Sequence, residues 1–226
     1  MKNLLILLFI FFLISCSKPI NPKLQKAQYY ERKAILAYRY NNRLKATKRL
    51  KRSLKLYALY DNIPKEVDIL LLLAKIDKKN SKKYLNLAKS FFDNVDQKRK
   101  EDIKFTIALL NKDIKKMKTL SNIAQSDKIK ALAKIYLFKW TKNKKFIKNF
   151  SYYKKDYIYS FYLYEKSKFS NIKTKIALLN KALQIDKKMQ NIRFIKRDLL
   201  ALFNTYISID RQKALQIKKR LELMND

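Results

Sequence analysis

From Lys23 onward, apolar residues return at spacings of three and four, and no stretch alternates apolar with polar positions for long. That period belongs to amphipathic helices, since strands repeat every second residue. Polar breaks interrupt it at Asn41-Asn42, Asp61-Asn62-Ile63-Pro64, Lys79-Asn80-Ser81, Asp93-Asn94, Asn111-Lys112-Asp113, Ser126-Asp127, Thr141-Lys142-Asn143, Phe169-Ser170-Asn171 and Ser208 to Asp210. Asn, Asp and Ser suit such points. Their side chains accept hydrogen bonds from the first free N–H groups of a helix, and Asn and Asp tolerate left-handed backbone. Pro64, just after a turn, fits the first turn of a helix. The pattern predicts an all-α chain of about eleven helices with short connections, hence a succession of antiparallel hairpins. A globular helical bundle is the alternative packing of the same elements.

The first residues follow another pattern. Lys2 precedes an apolar run from Leu4 to Ile14, which ends in Leu13-Ile14-Ser15-Cys16. Charged, apolar and then small residues in that order mark a secretory signal, and the run falls short of the roughly 20 apolar residues that span a bilayer. The Leu-Ile-Ser-Cys order resembles the lipobox of bacterial lipoproteins. The resemblance implies residues 1–15 as a signal peptide and Cys16 as the acylated first residue of the mature chain, carrying palmitate-type acyl groups. Cleavage by a general signal peptidase, or retention of the run as an anchor, are the competing outcomes. Two or more acyl chains hold a protein to a membrane far better than one. Residues 16–22 then read as a lipidated terminus and stiff tether, because Pro19 and Pro22 disfavour helix before Lys23.

Composition narrows the chemistry. The chain has no glycine and no histidine, and Cys16 is its one cysteine. Phosphate-cradling loops, dinucleotide fingerprints and nucleophile elbows need glycine. The commonest general base and transition-metal ligand is histidine. Acylation of Cys16 would remove the only thiol. The acidic residues lie singly among lysines, so no pair stands out as a carboxylate acid–base couple of the glycosidase kind. We therefore expect no catalytic residue, no metal and no cofactor. The formal charge is +36, and the leader holds only one of the basic residues. A balance this basic favours anionic partners such as lipid headgroups, polyanions or acidic proteins. Lys, Asn, Ile and Tyr are all abundant, and AT-rich coding alone produces the same bias.

The hairpins resemble tetratricopeptide repeats, units of about 34 residues in which small residues let two helices approach closely. Ala34 and Ala46 keep that family's twelve-residue offset across the Asn41-Asn42-Arg43-Leu44-Lys45 turn, and Leu50 and Ser53-Leu54 follow in step. Leu179, Ala182-Leu183 and Ile185-Asp186 look like the end of a second helix, with Lys187 where the family usually has proline. Asp210 to Leu215 looks like a turn entering another second helix. Between Pro64 and Phe150 the units are irregular in length. The resemblance implies a right-handed α-solenoid, TPR-like, as a single domain over residues 23–226.

Two surfaces stand out. Lys45, Lys48, Arg49, Arg52 and Lys55 recur at steps of three and four and share one helical stripe, with no acidic residue between Glu31 and Asp61. Near a lipid anchor such a stripe suits contact with anionic headgroups at about 1 kcal/mol per residue; a plain solvated face is the alternative. Lys142, Lys144, Lys145 and Lys148 cluster at a turn. The stretch from Tyr152 to Tyr164 carries aromatic residues on all sides of a helix, more than one buried stripe absorbs. Tyrosine offers rigid contact area with a polar tip, so Tyr152, Tyr159 and Tyr162, with Lys155, are expected at a partner groove; packing between hairpins is the competing role. The expected function is a lipid-anchored scaffold in a bacterial cell envelope, with the outer membrane favoured and the periplasmic or surface face open. It would bind other envelope proteins, as part of a membrane-protein complex in outer-membrane protein assembly or secretion. The alternative is a surface lipoprotein that binds polyanions or host ligands through lysine-rich faces. Nucleic acid is not an expected partner.

Overall fold

The computed structural model describes residues 21–148, 150, 152 and 156–224. The expected signal peptide and Cys16 lie outside these residues. Among the described residues there are twelve α-helices and no strand: α1 (Pro22–Arg39), α2 (Arg43–Ala58), α3 (Ile63–Ile76), α4 (Ser81–Ser90), α5 (Gln97–Leu110), α6 (Ile114–Ile123), α7 (Asp127–Thr141), α8 (Lys145–Lys148), α9 (Tyr157–Ser167), α10 (Ile172–Lys188), α11 (Ile192–Tyr206) and α12 (Arg211–Glu222). Each polar break expected from the sequence marks a boundary between two helices. Two boundaries carried no such signal: one after Lys148, and one at Met189 to Asn191, where Gln190 takes a left-handed φ of 51°.

Local chemistry accounts for the boundaries. Asn21, Asn42, Asn62, Asp96, Asp113, Asp156, Asn171, Asn191 and Asp210 each sit before a helix and accept from a backbone N–H in its first turn. Pro22 and Pro64 occupy first-turn positions where their missing N–H loses nothing. Left-handed turn residues replace glycine at Asn41, Asp61, Lys112, Lys142 and Gln190. Asparagine and aspartate adopt this conformation readily, whereas the lysines and the glutamine hold it against a steric penalty.

Helices pack in adjacent pairs along the chain, and α3, α5, α7 and α9 also touch one another in series. First helices of successive hairpins thus stand side by side. Small residues set the spacing in the first hairpin: Ala27, Ala34, Ala46 and Ser53 are all buried, and Ser53 Oγ donates to the Ala27 carbonyl oxygen at 2.9 Å. The apolar core follows the chain in four clusters, centred on Leu70, Leu137, Ile158 and Leu199. Such a succession is what stacked repeats produce, because each unit buries its apolar face on its neighbours.

Second-helix length varies. Helices α2 and α10 have 16 and 17 residues, α4 and α6 have 10 each, and α8 has 4. The irregular middle of the sequence is thus a run of shortened second helices. Among the described residues no helix is long and apolar enough to cross a membrane.

Candidate partner-binding surfaces

The first helices turn a mixed aromatic and charged wall toward a shared interior. Tyr136 of α7 lies at its centre, with ring centroids 5.4 Å from Phe161, 5.6 Å from Trp140 and 6.1 Å from Phe105. Lys139 Nζ is 5.8 Å from the Tyr136 ring and 5.7 Å from that of Phe161. Across the interior, the Arg193 guanidinium of α11 donates to the Tyr38 hydroxyl of α1 and sits 4.9 Å from its ring. The first and sixth hairpins therefore meet, and the array curls back on itself.

Crowding inside this curve alters ionisation. Lys75 has an exposed surface, and the desolvation of its ammonium by neighbouring protein lowers its pKa while Asp102 opposes the shift. Burial raises the Asp102 carboxyl, against the pull of Lys75 and Lys128. Tyr136 is pushed up to about 12, mainly by burial. Burial also raises Tyr157, whose ring lies 5.5 Å from Lys128 Nζ. The wall thus combines flat apolar area with cations, of which Lys139 lies 4.0 Å from Glu165 Oε1, a surface suited to holding a chain by stacking, cation–π contact and hydrogen bonds.

The expected groove residues lie apart from this wall, and Tyr162 among them borders a cleft beside α8. Tyr152 donates from its hydroxyl to Asp156 Oδ2 at 2.6 Å, beside the start of α9. Tyr162 is buried, with its ring stacked 4.0 Å from Phe150 and 6.0 Å from Tyr159. Tyr159 meets Lys181 of α10. Lys155 lies outside the described residues. The inner wall takes its aromatics from another face of α9, through Tyr157, Phe161 and Tyr164. Helical period alone does not say which face of an all-round aromatic helix turns inward.

The α2 stripe is outward-facing. Lys45, Lys48, Arg52 and Lys55 are exposed and Arg49 is half-buried. Arg49 donates to the Lys33 carbonyl at 2.8 Å and Arg52 covers the Tyr30 ring at 5.7 Å, both tying the stripe to α1. The turn lysines Lys144, Lys145 and Lys148 border a cleft of 590 Å³.

One polar cluster gave no signal in the sequence. Asp186 of α10, Asp198 and Arg197 of α11 and Ser160 of α9 meet inside the protein, both carboxyls fully buried. Asp186 Oδ2 accepts from Ser160 Oγ at 2.5 Å and from Arg197 at 3.2 Å, and Asp198 Oδ1 accepts from Arg197 Nε at 2.8 Å. The second oxygen of each carboxyl has no donor. Two buried carboxyls beside one guanidinium satisfy those oxygens when they share a proton. Burial accordingly pushes Asp198 up to about 8, Arg197 opposing and the Asp186 charge adding to the shift. Both carboxyls of this pair are sealed from solvent.

Comparison with protein-family models, curated proteins and solved structures gave no match.

Proposed function

We propose that this chain is a lipid-anchored scaffold of a bacterial cell envelope, tethered through Cys16, which binds partner proteins along its helical hairpins. The observation that carries the reading is the shared interior: first helices of four hairpins present Tyr38, Tyr136, Tyr157, Phe161 and Arg193 together. Repeat arrays of this build offer large surface for little chain, because each hairpin needs only its neighbours for support. Placement at the outer membrane, and service to protein assembly or secretion there, extend the lipobox and tetratricopeptide resemblances of the sequence.

The test is affinity capture of the full chain, Cys16 intact, from detergent-solubilised envelopes. Recovery of a stoichiometric membrane-protein complex that withstands physiological salt supports the scaffold. Recovery of no partner contradicts it. The outward α2 stripe favours a second reading, binding of polyanions, because none of its basic residues meets a carboxylate among the described residues. Salt separates the two: polyanion binding falls steeply between low and physiological ionic strength.

A further inference from the structure

Helix α8 stands where a hairpin's second helix belongs, but it is one turn long, and it leaves a cleft on each side. Toward α6, 450 Å³ is lined by Lys118, Ser121, Asn122, Lys134, Lys145 and Phe146. Toward α9, 590 Å³ lies over a floor of Phe138, Ile147, Tyr162 and Phe169, rimmed by Lys144, Lys145, Lys148 and Lys166. Lys145 borders both. Neither lining includes a carboxylate, and among the described residues none of these six lysines makes an ion pair. Lys145 and Lys166 instead sit 5.4 and 5.6 Å from the rings of Phe146 and Tyr162. The cleft toward α9 therefore joins an apolar floor to uncompensated positive charge, and the cleft toward α6 sets the Phe146 ring and lysine stems beside the same charge. We propose that the clefts flanking α8 together dock an extended acidic segment of a partner protein, which places one apolar side chain in each.

The reach fits. A helix with its side chains is about 10 Å thick. An extended polyproline-type segment turns the same face every third residue and advances about 9 Å in doing so. Apolar residues three apart would straddle α8, while intervening Glu or Asp side chains meet Lys145 and its neighbours. Ammonium groups on flexible stems accept carboxylates without strict geometry. A membrane lipid fits less well, since an acyl chain needs one continuous apolar channel and α8 divides the floor in two.

This inference rests on the scaffold reading and names the chemistry of one partner contact. The probe is a fluorescein-labelled peptide, Glu-Glu-Phe-Glu-Glu-Leu-Glu-Glu, titrated with the full chain in non-ionic detergent and followed by anisotropy. The comparison peptide has the same composition with Phe and Leu adjacent. We expect the spaced peptide to bind about tenfold tighter than the adjacent one. Lys144→Glu with Lys148→Glu should weaken it by about tenfold or more, and Phe169→Ala should abolish the preference for spacing. Lys218→Glu with Lys219→Glu, the same charge change on α12, should leave both intact. Thermal melts by circular dichroism confirm that each variant is folded. Equal binding of the two peptides, or equal loss from the α12 variant, would reduce the effect to general electrostatics and overturn the proposal. So would phosphatidylglycerol vesicles that compete with the peptide for Lys144 and Lys148 while neutral vesicles do not, which would assign the clefts to lipid. Envelope capture with the Lys144→Glu, Lys148→Glu chain separates the two readings. A complex that survives it, without peptide binding, removes the clefts and leaves the scaffold standing. The absence of any complex from the unaltered chain removes the scaffold whatever the peptide does.

Discussion

At single positions, a chain without glycine meets the backbone demands of its turns at a cost. Lys112 and Gln190 hold φ near 51° with a Cβ in place, a conformation that costs about 1 kcal/mol or more for such residues. Lys112→Gly and Gln190→Gly should each raise stability by about 0.5–1 kcal/mol, read as a shift of the urea midpoint. The same change at Asn41 should gain less, because asparagine already tolerates this region. The Asp186–Asp198 pair makes a second residue-level claim. Its folded pKa lies above the unfolded value, so the native state holds a proton that the unfolded chain has lost. Stability should then fall as pH rises from about 4 toward 8 and level off above. Asp198→Asn keeps the shape, supplies an N–H donor to Asp186 and removes the titration. Its melting temperature should vary less over that range and match or exceed that of the unaltered chain at pH 8. A uniform loss at every pH would mean that the two carboxyls share no proton. None of this was visible in the sequence, where Asp186 and Asp198 stand twelve positions apart on separate helices and Ser160 comes from a third.

Among the elements, periodicity and caps made most of the helices legible. Asn171 illustrates why: its side chain accepts from Thr174 N at 2.9 Å, closing the first turn of α10. Asn171→Ala should cost about 1 kcal/mol in chemical denaturation, whereas Asn171→Ser or Asn171→Asp should cost less than half of that. The break between α10 and α11 escaped because Gln190 is an unusual left-handed residue, although Asn191 does cap α11 by accepting from Phe194 N. The stop after α8 escaped because no apolar pattern distinguishes a one-turn helix from a loop. Face assignment was the harder matter. On α9 the aromatic residues surround the axis, and packing of Tyr162 against Phe150 decided that Tyr157, Phe161 and Tyr164 turn inward. The small residues of α1 and α2 were more readable. Ala34 and Ala46 lie buried where the helices approach closely, as their spacing implied.

Over the whole molecule, closure is the property that no local pattern announces. Tyr38 and Arg193 are 155 positions apart, and their meeting depends on the summed turn of every hairpin between them. Contacts of this kind are weak individually, about 0.5–2 kcal/mol for a cation–π pair. Arg193→Ala should therefore leave the melting temperature nearly unchanged while loosening the curl, seen as a larger radius of gyration by small-angle X-ray scattering. An unchanged radius would show that the hairpin stack alone sets the curvature.

Whether a partner occupies the shared interior is open to direct measurement. A photo-crosslinking amino acid placed at Tyr157, in cells that make the full chain with Cys16 intact, reads this without purification. A bound partner should give one discrete crosslinked product from Tyr157 and none from the same substitution at Lys219 on α12. No product at Tyr157, or the same smear of products at both positions, would contradict the scaffold reading.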